Sequence, residues 1–294
     1  MTDRDWLAER FEAERPRLRA VAYRLLGSTA EAEDAVQDAW LRLNRSDTGA
    51  IDNLGAWLTT VVARLALDRL RSSRARHEEA ASLRLPDPIV ELEGGPEPEM
   101  QAVLADSVGL AMLVVLETLS PAERLAFVLH DAFGLPFDEI APIVERSPTA
   151  TRQLASRARR RVRGDRPSSP VSPTRQRQLV DAFLAAARGG DFEALVRILD
   201  PDAVVRADFG TAGPFGIANA PRKFHGAAAV ANSALTFRNL APGARHAMVN
   251  GSPGFVAFNQ GRPFAVLAFA FRDDRISEID VFGDPERLAA LVLD

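Results

Sequence analysis

Hydrophobic residues recur with helical spacing through the N-terminal quarter of the chain. Apolar positions three and four residues apart predict one amphipathic helix that ends at Gly27, a second over 28–43 and a third over 54–76. A small, polar loop over 44–53 separates the second helix from the third. This part of the chain is therefore predicted to be an all-helical domain.

A second helical pattern covers Pro136 to Arg163 and predicts two helices joined by a short turn. Ser147 is a good N-cap, and Pro148 suits the first helical position because no backbone donor is needed there. The turn 145–147 lacks the glycine that is often found in such turns. The apolar stripe of the second helix is predicted at Ala150, Leu154, Ala158 and Val162.

The rest of this second helix is polar and rich in arginine. Short polar side chains and arginines near a helix start suit base edges in a major groove, and later arginines suit phosphates. A solvated basic helix would carry similar charges, but the Ser-Pro start and the partner helix favour a helix-turn-helix. The predicted DNA-binding residues here are Thr149, Thr151, Arg152, Gln153, Ser156, Arg157 and Arg160.

The C-terminal part changes from helical to alternating patterns. Two helices are divided at Gly189-Gly190, and runs such as PFAVLAFAF and ISEIDVF then alternate apolar and polar positions, with a helix between strands. Helices followed by a meander of strands predict an α+β domain.

Charge and proline content divide the chain further. The net charge of −4 excludes a globally basic nucleic-acid binder. However, residues 152–166 carry seven arginines and one aspartate, whereas 78–99 carry seven acids and one arginine. The predicted order is a helical domain over 1–77, an acidic proline-rich linker over 78–98, a helix-turn-helix domain over 99–165, a linker over 166–173 and an α+β domain over 174–294.

Other classes are excluded by what the sequence lacks. There is no cysteine, which excludes disulfides and thiolate metal sites. The charged N-terminal stretch is not a signal peptide, and no apolar run approaches the length of a membrane span. We expect a cytoplasmic protein with no membrane association and no metal or cofactor.

Three stretches match a known family in order and spacing: YRLLGSTAEAEDAVQDAWLRL, AWLTTVVARLALDRLRSSRARH and LSPAERLAFVLHDAFGLPFDEIAPIVERSPTATRQLASRARRRV. Residues 10–164 resemble the two helical domains of extracytoplasmic-function sigma factors of bacterial RNA polymerase. The resemblance implies sigma region 2 over 1–77 and sigma region 4 over 99–165.

The resemblance also implies residue roles. The acidic face of the second helix would grip core polymerase, and the third helix and the loop 44–53 would face the melted minus-ten element. The helix-turn-helix would read the minus-thirty-five element. The implied polymerase-binding residues are Glu33, Asp34, Asp38 and Trp40, and the implied DNA-binding residues of the third helix are Trp57, Arg64, Arg71 and Arg74.

Residues 175–294 resemble the SnoaL-like cone fold, in which a curved sheet and helices enclose a pocket. A subgroup of these sigma factors carries such a domain together with a Trp-Leu-Pro-Glu-Pro-type linker motif, matched here by 84–88 except for the tryptophan. A closing Asn-Pro-Asp-Lys-Leu-type motif is matched loosely by 283–288, and only Asp208 and Gly210 remain of an Asp-Gly-Gly-Gly-Lys loop. The expected regulatory contact joins Leu85, Pro86, Asp87 and Pro88 to Asp284, Pro285 and Leu288.

A pocket in the third domain has five polar candidates. A His–Asp pair could act as general base and orienter, but no spacing fixes their geometry, and we predict that the protein is not an enzyme. A regulatory or ligand-binding role is expected instead. The candidates are Asp208, His225, His246, Asn259 and Asp280.

The sequence thus predicts a sigma factor that directs RNA polymerase to specific promoters and is modulated by its own C-terminal domain. Its expected partners are core RNA polymerase, promoter DNA and a candidate small-molecule ligand, and it is expected to be a monomer when free. Two alternatives remain: a ligand-responsive helix-turn-helix repressor, which would dimerise on a palindrome, and a SnoaL-like enzyme fused to a DNA-binding region.

Overall fold

The structure is a computed structural model that describes residues 3–47, 51–77, 84–93, 110–163, 171–210, 222–236, 238, 243–291 and 293. The chain forms two compact units. Within the described residues, the first unit holds the helices up to residue 77 and those over 113–163, and the second holds 84–93 and everything from 171 onward.

Three helices begin the first unit: α1 (Asp3–Leu26), α2 (Thr29–Leu43) and α3 (Leu54–His77). They pack pairwise around fully buried aliphatic side chains such as Leu18, Val36 and Leu58. Ser28 caps α2 by accepting the backbone N–H of Glu31 at 3.4 Å. The predicted all-helical N-terminal domain is confirmed.

The second group of helices comprises α4 (Leu110–Glu117), α5 (Pro121–Phe127), a π-helical turn (Val128–Ala132), α6 (Phe137–Val144) and α7 (Pro148–Arg163). A full capping box begins α5, where Ser120 and Glu123 each bind the other's backbone N–H. The helices α6 and α7 with the turn between them form the predicted helix-turn-helix.

The second unit is an α+β domain. Its elements are α8 (Pro173–Gly189), α9 (Phe192–Ile198), β2 (Leu199–Asp208), β3 (Arg222–His225), α10 (Ala227–Thr236), β4 (Ala244–Val249), β5 (Ser252–Asn259), β6 (Arg262–Arg272), β7 (Arg275–Phe282) and α11 (Pro285–Ala289). With β1 (Val90–Leu92) at its edge, the sheet has the order β1-β4-β5-β6-β7-β2-β3. The strands β2 and β7 pair in parallel, and the other pairs are antiparallel.

The helices α8, α9 and α10 bring Phe183, Leu195 and Val230 into one apolar core with sheet residues such as Phe255 and Phe269. The predicted fold class, two all-α domains followed by an α+β domain, is confirmed.

The acidic linker departs from the prediction. Residues 84–93 were expected to be part of a tether, but they contribute the edge strand β1 (Val90–Leu92), which pairs with β4. Val90 and Leu92 are buried, so their alternation gives this short segment one apolar face toward the domain. The linker therefore belongs to the C-terminal unit over these residues.

Candidate functional site

The helix α7 presents a polar face to solvent. Ser147 accepts the Ala150 N–H at 3.2 Å, which confirms it as the N-cap. The guanidinium of Arg152 lies 5.3 Å from the centre of the Phe137 ring on α6. Six of the seven predicted DNA-binding residues on this helix are exposed: Thr149, Arg152, Gln153, Ser156, Arg157 and Arg160.

Thr151 is the exception, and its prediction as a DNA-binding residue is wrong. Its side chain is fully buried, and its hydroxyl donates to the Ser147 carbonyl at 3.0 Å. The buried face of α7 is centred on Thr151, Ala155 and Ala158. Of the predicted stripe, Ala158 is fully buried, whereas Ala150, Leu154 and Val162 are half-buried at its edges. Small residues at the centre of this face let α7 pack closely on α5. The exposed face of α7, which is the candidate DNA-binding face, is shifted accordingly.

A buried carboxylate anchors the second half of α7. Glu123 of α5, whose side chain is 8% exposed, lies 3.3 Å from Arg157 and 3.1 Å from Arg161. Burial opposes its ionisation, but bonds from the Ser120 hydroxyl and N–H and the charges of Arg161 and Arg157 lower the pKa of Glu123 below its usual range. Arg157 thus has a structural partner and is a weaker candidate for phosphate binding than Arg160.

The turn of the helix-turn-helix has a glutamate at a position whose backbone conformation costs less energy for glycine. Glu145 has φ 58° and ψ 47°, the left-handed conformation that side chains with a Cβ disfavour. Its backbone N–H binds the Ala141 carbonyl and ends α6. The missing glycine noted in the sequence is therefore a strained helix end, not a different turn.

The acidic face of α2 is tied to its neighbours by arginines. Glu33 lies 2.7 Å from Arg15 and 2.9 Å from Arg19. Asp38 lies 2.8 Å from Arg69 of α3. Asp34, whose side chain is 67% exposed, is 3.9 Å from the same arginine.

Trp40 is half-buried, with its ring 4.9 Å from that of Phe11 on α1. Arg69, which the sequence analysis did not single out, also donates to the Glu31 carbonyl at 2.8 Å. Arg69 thereby orients the polymerase-binding candidates of α2. No pattern in the sequence indicated this contact between α3 and α2.

The candidates on α3 are more accessible. Arg64 and Arg71 are exposed, and Trp57 is half-buried. The side chain of Arg74 lies outside the described residues, as do residues 48–50 of the predicted base-capturing loop. Asn53, which ends that loop, accepts the Ala56 N–H at 3.0 Å and so caps α3.

Within the first unit, one buried arginine joins the two groups of helices. Arg124 is 3% exposed and donates at 2.8 Å both to the Leu116 carbonyl and to the Leu25 carbonyl at the end of α1. Its guanidinium also lies 3.0 Å from Glu117. We call this set of contacts the helical joint.

Two further arginines lie in the helical joint. Arg24 is 5% exposed, with its guanidinium 4.7 Å from the Phe133 ring centre, and burial lowers the pKa of Arg24. Arg71 of α3 lies 3.9 Å from Glu145 at the end of α6. The joint therefore combines buried hydrogen bonds with an exposed, weak ion pair.

Within the second unit, Arg287 of α11 joins the linker to the domain. It donates at 2.8 Å to Asp87, at 2.6 Å to the Leu85 carbonyl and at 2.8 Å to Asp208. Asp208 also accepts the Leu85 N–H at 3.0 Å. We call these contacts the linker clasp.

The predicted regulatory residues lie in or beside the linker clasp. Leu85 is 1% exposed and Leu288 is 4% exposed. Asp284 caps α11, accepting the Glu286 N–H at 3.0 Å, and Pro285 is exposed. Pro86 and Pro88 are buried.

Sequence reasoning missed two residues that hold the linker. Arg287 occupies the lysine position of the closing motif, which was the available signal. Asn250 accepts the Ile89 N–H at 3.1 Å through its side chain and donates its own N–H to the Ile89 carbonyl at 2.8 Å. It sits in a turn with φ 49°, and nothing in the sequence pointed to its partner.

The third domain encloses an apolar cavity of about 90 Å³ between α8, α10 and the sheet. None of the five predicted polar candidates is among the described residues that line it. His225 lines a second, more open cavity instead, beside Pro201 and Arg275. Asp208 belongs to the linker clasp, while His225 and Asn259 are exposed.

Asp280 and His246 also have structural partners. Asp280 is 3% exposed and lies 2.7 Å from Arg206; its neighbours Ile279 and Val281 line the cavity, so Asp280 points to the opposite sheet face. Burial raises the pKa of Asp280 against the lowering effect of Arg206. His246 lies 3.5 Å from Asp181 of α8, and burial, together with the charge of Arg177, lowers the pKa of His246.

Neither a metal site nor a membrane-spanning helix occurs in the part of the chain that the structure describes. No group of three or more histidine, aspartate or glutamate side chains there could hold a metal ion. No helix there is long and apolar enough to cross a membrane.

Comparison with known proteins identifies the two helical groups. Residues 10–76 match the family "Sigma-70 region 2", and residues 110–162 match "Sigma-70, region 4". The ECF RNA polymerase sigma factor SigJ of Mycobacterium tuberculosis is 37% identical over 292 residues, covering 94% of this chain and 91% of that protein. The probable ECF RNA polymerase sigma factor SigI of the same species is 38% identical over 207 residues, covering 68% of this chain and 69% of that protein.

A solved structure extends the similarity through the C-terminal domain. The crystal structure of Mycobacterium tuberculosis SigJ has a TM-score of 0.75 and 33% identity, covering 98% of this chain and 100% of that chain. The chain therefore belongs to the extracytoplasmic-function sigma factors of RNA polymerase.

Proposed function

We propose that the chain carries promoter specificity through two separate surfaces. The exposed face of α7 reads the upstream promoter element, with Arg152 and Gln153 one turn into the helix and Arg160 placed for phosphate. The face of α3 that carries Arg64 and Arg71 meets the melted strand. The acidic face of α2 around Asp34 and Asp38 binds core polymerase. The single observation that carries this proposal is that the named candidates on α7 and α3, together with Asp34 on α2, are exposed, while Thr151 on α7 is buried.

We further propose that the linker clasp restrains this activity. In this family, regions 2 and 4 must separate to span two promoter elements, and the linker between them sets their reach. Residues 84–93 are fixed on the C-terminal domain by Arg287, Asn250 and β1. A linker held in this way leaves fewer free residues for separation, so the clasp favours the compact state.

The free energy of linker docking is comparable with the free energy needed to shift a two-state population. Leu85 is buried, and burying a leucine is worth about 1.5–3 kcal/mol. A shift of about 5.5 kcal/mol is enough to take a two-state population from 1:99 to 99:1. One buried leucine and one shared arginine therefore supply a useful part of the required difference.

Run-off transcription with core polymerase tests both proposals. The variant Asp87→Ala removes an Arg287 partner from the linker and leaves the C-terminal domain's own residues intact. We expect higher promoter output than for the parent chain. The matched control Glu286→Ala removes an exposed acid from α11, one residue from Arg287, and should leave output unchanged. Equal output from the parent and Asp87→Ala would contradict restraint by the clasp.

A pull-down with core polymerase tests the first surface separately. Asp34→Arg reverses a charge on a side chain that is 67% exposed and 3.9 Å from Arg69, so it should weaken core binding without unfolding α2. Asp68→Arg, an exposed charge reversal on α3, is the control. If the chain represses by itself instead, it will bind a palindromic site as a dimer without core polymerase, which would favour the repressor alternative.

The C-terminal domain is proposed to act by binding rather than by catalysis. Its five polar candidates are used in the clasp, in ion pairs or at the surface, and do not converge on the cavity. We propose that the protein works in the cytoplasm as a monomer until it meets core polymerase and promoter DNA.

A further inference from the structure

The cavity of the C-terminal domain is lined almost entirely by apolar side chains. Its walls include Phe183, Val205, Phe255 and Leu267, and its volume is about 90 Å³. Cavities with such walls stay dry and accept apolar molecules, because water finds no hydrogen-bond partners there. The walls therefore select the apolar body of a small ligand.

The lining also includes one cationic side chain. Arg238 follows α10 and lines the cavity together with the hydroxyl of Ser233. Arg238 is exposed, and no carboxylate among the described residues pairs with it. A guanidinium matches the two oxygens of a carboxylate and forms stronger, charge-assisted hydrogen bonds with it. The lining thus offers an apolar space with an anion-binding group at one point.

The cavity wall continues directly into the linker clasp. Phe209 lines the cavity, and its ring packs against Gly283 so closely that a Cβ atom there would overlap the ring. Its chain neighbour Asp208 accepts the Leu85 N–H at 3.0 Å and binds Arg287 at 2.8 Å. The Gly283 N–H donates to the Asp208 carbonyl at 2.8 Å. Movement of Phe209 therefore displaces the residue that holds the linker.

We propose that this cavity binds a small apolar monocarboxylate, of about the size of butyrate, and that its occupancy strengthens the linker clasp. The apolar body contacts Phe183, Phe255 and Phe209, and the carboxylate binds Arg238. A ligand that binds the clasped conformation, with Phe209 in the wall, stabilises that conformation by mass action. The domain then reports the level of an apolar acid to the linker. The coupling to output rests on the proposed function, whereas binding itself does not.

Calorimetric titration of the full chain tests the ligand class. Butyrate and isobutyrate are compared with their uncharged analogues, butan-1-ol and 2-methylpropan-1-ol. Arg238→Gln should weaken binding of the carboxylates by about tenfold or more, since a charge-assisted bond is lost, and should leave the alcohols unchanged. Arg262→Gln, an exposed arginine on β6, is the matched control and should bind as the parent does.

Two results would overturn the ligand class. One is the absence of carboxylate binding to the parent chain. The other is equal loss of carboxylate and alcohol affinity in Arg238→Gln. Ala234→Leu, which fills the cavity from α10, should reduce binding of both ligand types, and unchanged binding there would place the ligand elsewhere.

Hydrogen exchange at the Leu85 amide tests the coupling to the linker. At a ligand concentration of about ten times Kd, opening of the clasp should become about 11-fold rarer, and exchange should slow by the same factor. Unchanged exchange despite measured binding would overturn the coupling. That failure is distinct from a failure of the clasp to control transcription, which Asp87→Ala tests without any ligand.

Discussion

The helical joint and the linker clasp each use one arginine to hold segments that are distant in sequence, but the two arginines have different partners. Arg124 is 3% exposed and binds two backbone carbonyls, Leu25 and Leu116, with Glu117 at its edge. Arg287, with 17% of its side chain exposed, binds the carboxylates of Asp87 and Asp208 and the Leu85 carbonyl.

The helical joint is a packed interface between helices, whereas the linker clasp holds a short segment that can be released. The helical joint is surrounded by whole helices whose apolar faces are already buried against each other. The linker brings only residues 84–93, and its hold depends on Arg287, Asn250 and a three-residue strand. Releasing this ten-residue segment exposes fewer buried groups than separating whole helices does, so the clasp is the part better suited to regulation.

Arg124→Met should have the largest effect on stability. It leaves the Leu25 and Leu116 carbonyls without their buried donor, so the free energy of unfolding of the first unit should fall by about 3–5 kcal/mol. Urea denaturation followed by tryptophan fluorescence measures this, because Trp6, Trp40 and Trp57 all belong to that unit. Arg160→Met, at an exposed position on α7, should change stability little; an equal loss in both variants would contradict the buried role of Arg124.

Leu85→Ala should be next in size and should act only on the clasp. Truncating this fully buried leucine should weaken linker docking by about 2–5 kcal/mol. Hydrogen exchange should then rise over 85–92 while the α8 amides stay protected. Leu288→Ala, on the other side of the contact, should produce the same pattern, and protection that survives both substitutions would show that the clasp depends on other groups.

Arg152→Ala should leave the helical joint and the linker clasp intact and change DNA recognition. Loss of its contact with a base edge should cost about 1–3 kcal/mol and relax specificity in the upstream promoter element. Arg160→Ala should weaken binding more evenly across sequences. Competition assays with upstream-element variants measure the difference, and identical loss on all sequences for both variants would exclude base reading by α7.

Glu145→Gly should have the smallest effect, with the opposite sign. It relieves the left-handed strain at the end of α6 and loses only a weak pair with Arg71, so the first unit should gain about 0.5–1 kcal/mol. A higher thermal midpoint than the parent is expected. A lower midpoint would mean that the Arg71 pair contributes more to the helical joint than the strain removes.

The sequence was sufficient for what local patterns determine. Helical periodicity and the Ser147-Pro148 start placed the helix-turn-helix, and the change to alternating runs placed the α+β domain. Sequence patterns were insufficient in two cases. One is where a shift of one residue decides which face of a helix is buried, and the other is where a segment binds residues far away in the sequence. Thr151 was assigned to the wrong face because the apolar stripe of α7 is poor in large side chains.

The linker shows the second kind of failure. Proline and acid content predicted a free tether, but Asp208 lies 123 residues from Leu85 and Asn250 lies 161 residues from Ile89. No local pattern reports such pairs. Asp208 and Asp280 were placed in a pocket for their polarity, yet each neutralises an arginine elsewhere in the domain.

The most direct test of the account measures whether the linker clasp restrains separation of the two helical groups. The chain has no cysteine, so spin labels at Leu41→Cys on α2 and Glu139→Cys on α6, both exposed, report one distance within the full-length protein. We predict a single short distance for this labelled parent and an added population at longer distance when Asp87→Ala is introduced. An identical distance distribution with and without Asp87→Ala would contradict control of the sigma domains by the clasp.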